Sequence, residues 1–147
     1  MENLTAKAAT TIGAPVAHVW RALVTPETIK RYMFGATVVT TWREGGPIVW
    51  KGEWKGKAYE DRGEIVRFDP GRTLRYTHWS PLSGTPDTPE NRHTVTIELE
   101  GQGTNTRVAL SQDGNRSEQE RLHSEDNWRK MLEGLKRIVE AGASPAQ

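Results

Sequence analysis

Two periods divide this chain, and together they leave few architectures open. After Gly35 the residues alternate two by two through ATVVTTW, IVWKGEW, KAYEDRGEIVRF, TLRYTHW, HTVTIELE and TRVALSQ. Short turn signals separate most of these runs: Glu44-Gly45-Gly46-Pro47, Lys55-Gly56-Lys57, Asp69-Pro70-Gly71 and Gly101-Gln102-Gly103. Alternation bounded by such turns predicts consecutive strands of an antiparallel sheet. The rhythm then changes once. From Ser117, Leu122, Trp128, Met131, Leu132, Leu135, Ile138 and Val139 fall at helical spacing, which predicts one long amphipathic helix to about Val139. Ser117-Glu118-Gln119-Glu120 has capping-box spacing at its start, and His123-Ser124 marks a possible kink or second start. Gly134 lies mid-helix, where it costs about 1 kcal/mol against Ala.

Before the sheet, LTAKAATTI (4–12) predicts a strand. Pro15 suits a first helical turn, and Val16, Val19, Trp20 and Leu23 make one apolar stripe. At Thr25-Pro26-Glu27 a second short helix restarts, with Thr25 as its cap. The order is strand, two short helices, six strands, long helix, which is α+β: a curved antiparallel sheet wrapped around a C-terminal helix. With 147 residues, positions 1–141 are read as one domain and 142–147 as a flexible tail. SPLSGTPDTPENR (80–92) carries three prolines and no period, so it predicts a long loop of the kind that serves as a lid.

Composition excludes several functions. Without cysteine there is no disulfide scaffold, thiol catalysis or thiolate metal site. A net charge of +1 gives no basic footprint for nucleic acid. The four histidines are scattered and form no paired metal motif, so neither metal nor cofactor is expected. No window approaches ~18 consecutive apolar residues, so no membrane span is expected and the default location is the cytoplasm.

Alternation also assigns faces. With Ile48 inward, Trp50 and Trp54 follow it; Val38 brings Thr40 and Trp42, and Leu74 brings Tyr76 and His78. Ile65 brings Tyr59 and Asp61. Trp128 of the long helix is placed to close this face from the other side. The inner face therefore mixes Trp42, Trp50, Trp54, Tyr59, Tyr76 and Trp128 with Asp61 and His78. Any one tryptophan alone reads as core, but the set reads as the lining of a ligand cavity, where rigid aromatics and a few polar groups orient a small molecule. If the Asp69-Pro70-Gly71 turn is tight, Ile65 opposes Tyr76, Gly63 opposes His78, and Asp61 is diagonal to His78. That pair reads first as a satisfied polar contact at the cavity rim. Its second reading is a general acid–base pair, a weak one without a nucleophile. Arg43, Arg62, Arg67 and Arg75 are expected on the outer face.

Several stretches carry a family likeness: APVAHVWRALVTPE, EGGPIVWKGEWKG, GEIVRFDPGRTLRYTHW, HTVTIELEGQGTNTRVALSQ and DNWRKMLEGLK. They resemble the START-like (SRPBCC, helix-grip) superfamily, in the branch related to the activator of the heat-shock protein 90 ATPase. The resemblance implies a helix-grip fold with a deep cavity between sheet and long helix, and a tie to stress response. It does not single out a function, because the superfamily holds lipid binders, cyclases, self-resistance proteins and co-chaperone domains. Three readings remain: a binder of a small hydrophobic molecule; an enzyme of cyclase, hydratase or hydrolase type; and a co-chaperone-like module with a chaperone partner. A homodimer through a sheet edge is compatible with each.

Overall fold

The computed structural model describes residues 4–142. The elements are β1 (Leu4–Ile12), α1 (Val16–Val24), α2 (Pro26–Tyr32), β2 (Thr37–Thr40), β3 (Pro47–Trp54), β4 (Lys57–Asp69), β5 (Thr73–His78), β6 (His93–Gln102), β7 (Asn105–Asn115) and α3 (Glu118–Gly142). Two short 3-10 turns, Pro81–Ser83 and Pro89–Asn91, lie in the connection from β5 to β6. The expected tail lies outside the described residues, except Gly142, which ends α3.

The helix ends show where local rules were redirected. Pro15 is the residue before α1 and not its first turn. Thr25 makes no side-chain cap to α2; its hydroxyl donates instead to the Arg21 carbonyl at 2.5 Å, closing the last turn of α1. Thr25 Oγ1 thus donates to a carbonyl of α1 where a cap would accept from an N–H of α2, so Thr25 serves the helix it leaves. At α3 the box forms nearly as read: Glu120 N–H donates to Ser117 Oγ at 3.1 Å, and Arg116 N–H donates to the Glu120 carboxylate at 3.1 Å. No break appears at His123-Ser124. Ser124 Oγ donates outward to Asn115 Oδ1 at 2.8 Å, leaving the helix continuous.

The seven strands form one sheet in the order β1-β7-β6-β5-β4-β3-β2, and every neighbouring pair is antiparallel. β4 is the longest strand and serves both halves, pairing with β3 along Lys57 to Glu64 and with β5 from Ile65 to Asp69. A register shift between Ile65 and Arg67 leaves Val66 without a cross-strand partner and 45% exposed. Such a bulge bends the strand and raises its twist. Just before it, a Cβ on Gly63 would sit 1.7 Å from the Thr77 carbonyl oxygen, so β4 and β5 touch backbone to backbone there.

α3 seats on the inner face by its C-terminal half, where Met131, Leu132, Leu135 and Val139 are buried. Its charged side chains also cover the free edge of β1. Lys7 N–H donates to the Glu125 carboxylate at 3.0 Å, Gly13 N–H donates to the Glu140 carboxylate at 2.8 Å, and Lys136 Nζ donates to the Thr11 carbonyl at 2.8 Å. Edge backbone groups satisfied in this way do not recruit another strand.

Two substitutions test this packing. Gly63→Ala places a methyl where backbone already stands, and is expected to cost about 3 kcal/mol or more in urea unfolding. At Gly134 an added Cβ meets Tyr32 Cβ at 3.7 Å, an ordinary contact. Gly134→Ala is therefore expected to gain about 0.5–1 kcal/mol from helix propensity and raise the melting temperature by roughly 2–4 °C.

Candidate functional site

β3 and β4 pair Trp50 with Asp61 and Gly52 with Tyr59, so these residues share one face. Trp50 is buried, which makes that face the inner one. The Tyr59 ring lies over Gly52: a methyl there would come 2.5 Å from the phenolic oxygen. β5 brings Tyr76 and His78 to the same surface, with ring centroids 5.1 and 5.0 Å from that of Trp50. His78 Nε2–H donates to Asp61 Oδ2 at 2.9 Å, the diagonal contact expected from the register. The backbone supports it, because Ile65 opposes Tyr76 and Arg62 forms a bridge with Trp79.

This group runs from floor to rim. Trp50 and Tyr76 are each 4% exposed, while the side chain of Asp61 is 15% exposed and that of His78 30%. Burial, with the Asp61 charge second, raises the Tyr59 hydroxyl above the usual tyrosine range. Asp61 Oδ1 is buried and has no hydrogen-bond partner among the described residues. An unpaired buried carboxylate oxygen carries a desolvation cost of about 1–3 kcal/mol or more.

Trp42 and Trp128, also expected on this lining, pack against the same core but make no ring contact with Trp50 among the described residues. Trp42 follows the end of β2, which stops at Thr40, and turns through a left-handed backbone (φ 59°). Its ring packs 5.8 Å from Phe68, which meets Trp20 edge-on at 5.4 Å, so Trp42 belongs to a second aromatic cluster. Trp54 is the last residue of β3; its side chain lies outside the described set. Trp128 does not meet the Trp50 cluster by any ring contact among the described residues; its Nε1–H donates to Gln112 Oε1 of β7 at 2.5 Å. Gln112 and Phe68 were not singled out in the sequence, although the parity of Val108 and Leu110 selects Gln112 as inward. His93 pairs with His78 in register, and its Nδ1–H donates to the Asp113 carbonyl at 2.9 Å.

Behind Tyr76 the core holds a small void. The space enclosed by Leu23, Tyr32, Trp42, Tyr76, Ile97, Met131 and their neighbours is about 20 Å³. That is room for about one water molecule. The deep cavity implied by the resemblance is therefore a small apolar void in this conformation, because the aromatic rings and Met131 occupy the volume. Above the rim, the 80–92 connection is tied down. Arg92 forks onto Asp87 at 2.8 and 3.1 Å, and Trp79 Nε1–H donates to the Thr85 carbonyl at 3.1 Å.

A curved antiparallel sheet gripping a long C-terminal helix, with two short helices after the first strand, defines a START-like helix-grip protein. Within that class, the chain belongs to the family of Activator of Hsp90 ATPase homolog 1-like proteins, which matches residues 13–140. ChR145 from Cytophaga hutchinsonii, solved in solution, is 57% identical over 97% of this chain and 98% of its own, with a TM-score of 0.84. CalU16 from Micromonospora echinospora is 23% identical over 99% of this chain and 87% of its own, with a TM-score of 0.72. The Aha1 dimer from Colwellia psychrerythraea is 18% identical over 96% of this chain and 99% of its own, also with a TM-score of 0.72. At such identity the last two show the fold alone. No curated protein matches the chain in sequence. Among the described residues no helix is long and apolar enough to cross a membrane.

The buried phenols give the wall a pH signature. Burial pushes both Tyr76 and Tyr32 above the usual tyrosine range. Above about pH 10 the unfolded chain releases these protons and the folded chain keeps them. The unfolded state then binds fewer protons, so stability falls as pH rises, by about 1.4 kcal/mol per pH unit for each phenol. Below pH 10 this contribution is fully present. Urea titrations between pH 9 and 11 are expected to show a shallower loss in Tyr76→Phe than in the unaltered protein.

Proposed function

We propose that this protein binds a small hydrophobic or aromatic molecule between the inner wall of the sheet and α3, at the Trp50–Asp61–His78 end. The observation that carries the reading is the gradient from an aromatic floor to a polar rim holding an unpaired carboxylate oxygen. A plain core has no use for such a group, whereas ligand sites combine apolar walls with a few fixed polar atoms. The small volume behind the wall means that binding is coupled to opening.

The Asp61–His78 contact supports a second reading. In it, the pair acts as acid and base on a hydrophobic substrate of a cyclase-, hydratase- or hydrolase-type reaction. A chaperone-directed role has the family description in its favour.

A screen of hydrophobic probes by thermal shift and tryptophan quenching tests the first reading. A binding probe is expected to raise the melting temperature and quench emission. Tyr59→Ala, at a half-exposed position, is expected to weaken it about fivefold to tenfold with the fold intact. A broad library that produces neither shift nor quench sinks the proposal. Turnover lost in Asp61→Asn while binding persists would move the assignment to the enzyme.

A further inference from the structure

Asp61 divides its two carboxylate oxygens between different tasks. Oδ2 accepts the His78 Nε2–H at 2.9 Å. Oδ1 is buried, and no described residue donates to it. Trp50 stands directly across the ladder on the same face, and the Tyr59 ring lies one pair further along that face, over Gly52. An acceptor held beside two flat apolar surfaces is matched by a flat ligand with a donor at its edge.

The surrounding charge sharpens the match. Of the basic residues of this half of the sheet, Lys51, Arg62 and Arg75 have the opposite parity and stand on the outer face, and Arg67, which shares the parity of Asp61, is carried to that face by the bulge at Val66, where it pairs with Arg75. Arg62 is drawn to Glu60 at 3.8 Å and Arg67 to Asp69 at 3.7 Å. Lys57 shares the parity of Asp61, but it is four residues away along β4, about 13 Å, and exposed. His78 and His93, which opposes it in the ladder, are the imidazoles beside the site, and both are engaged, His78 by Asp61 and His93 by the Asp113 carbonyl.

We infer that the site selects a planar apolar ligand carrying a hydroxyl or amino hydrogen-bond donor, received by Asp61 Oδ1, and rejects ligands that present an anion. The inference rests on the ligand-binding reading and names its chemical class. Asp61 contacts the ligand; His78 is a positioning residue that holds the carboxylate by its other oxygen.

Three probes of one ring system separate the terms: 2-naphthol, 2-methoxynaphthalene and 2-naphthoate. The first two share shape and oxygen, but only naphthol donates. Naphthol is expected to bind about tenfold to a hundredfold more tightly than the methyl ether, the range of a hydrogen bond to a charged acceptor. Naphthoate is expected to bind weakest. In Asp61→Leu the naphthol preference should vanish while the ether keeps its affinity. Asp61→Asn, which preserves shape and removes the charge, should reduce the preference to a few-fold and serves where the leucine variant does not fold. Equal affinity for naphthol and its ether, a preference that survives at Asp61→Leu, or tight binding of naphthoate overturns the inference and leaves hydrophobic binding standing. Failure of all three probes to bind, when the broader screen yields a hydrophobic binder, overturns the inference alone; failure of the broader screen as well overturns both.

Discussion

The contact on which both sheet and site depend is the approach of β4 to β5 at Gly63. No side chain separates the Gly63 backbone from the Thr77 carbonyl, and the bulge at Val66 follows directly. Because β4 serves both halves of the sheet, its bend there turns the β2-β3 half toward the β5-β6 half. The same approach brings Asp61 into diagonal reach of His78. A larger residue at position 63 would move the strands apart and separate the carboxylate from the imidazole, so curvature and polar pair have one cause.

The second determinant is how α3 is held. Apolar burial fixes its C-terminal half, while its N-terminal half is held by polar contacts: Ser124 to Asn115, Glu125 to Lys7 N–H, and Trp128 to Gln112. Asn115 is fully buried, and its amide also donates to the Leu4 and Gln112 carbonyls, so this end is specified by hydrogen bonds. Such contacts set geometry at a modest net gain of about 0.5–1.5 kcal/mol each, less than a buried leucine provides.

Much of this was legible because alternation is read directly from a chain. β1 was expected over the residues it occupies, and the Ile65–Tyr76 register and the Asp61–His78 diagonal followed from the Asp69-Pro70-Gly71 turn. Other features depend on terms that periodicity does not carry. Trp42 leaves its strand through a positive φ, so its place beside Tyr76 at the inner void is set by a turn that parity counting does not describe. Thr25 chose between donating to an α1 carbonyl and accepting from an α2 N–H, and local spacing does not rank the two. Trp128 was read as inward from its stripe, but its partner Gln112 depends on how α3 sits across β7. The volume behind the wall was least legible, because it depends on rotamers of Met131, Tyr76 and Trp42 together.

Register relates the tether of α3 to the polar rim. Gln112 opposes Val95, and Val95 opposes Tyr76, so the tether from Trp128 lies at the level of Tyr76 along the sheet. His78 opposes His93 two pairs further toward the rim. The loosely held half of α3 and the polar rim are therefore at the same end of the grip. In the proposed binding mode, a molecule entering there would exchange a few hydrogen bonds, which water or the ligand can replace, and leave the Met131–Val139 seat intact. Entry from the opposite end would have to expose buried Leu132, Leu135 and Val139, at about 25 cal/mol for each Å² uncovered. Under the proposed binding role, the asymmetry of the helix favours opening at the end that already holds Asp61 and His78.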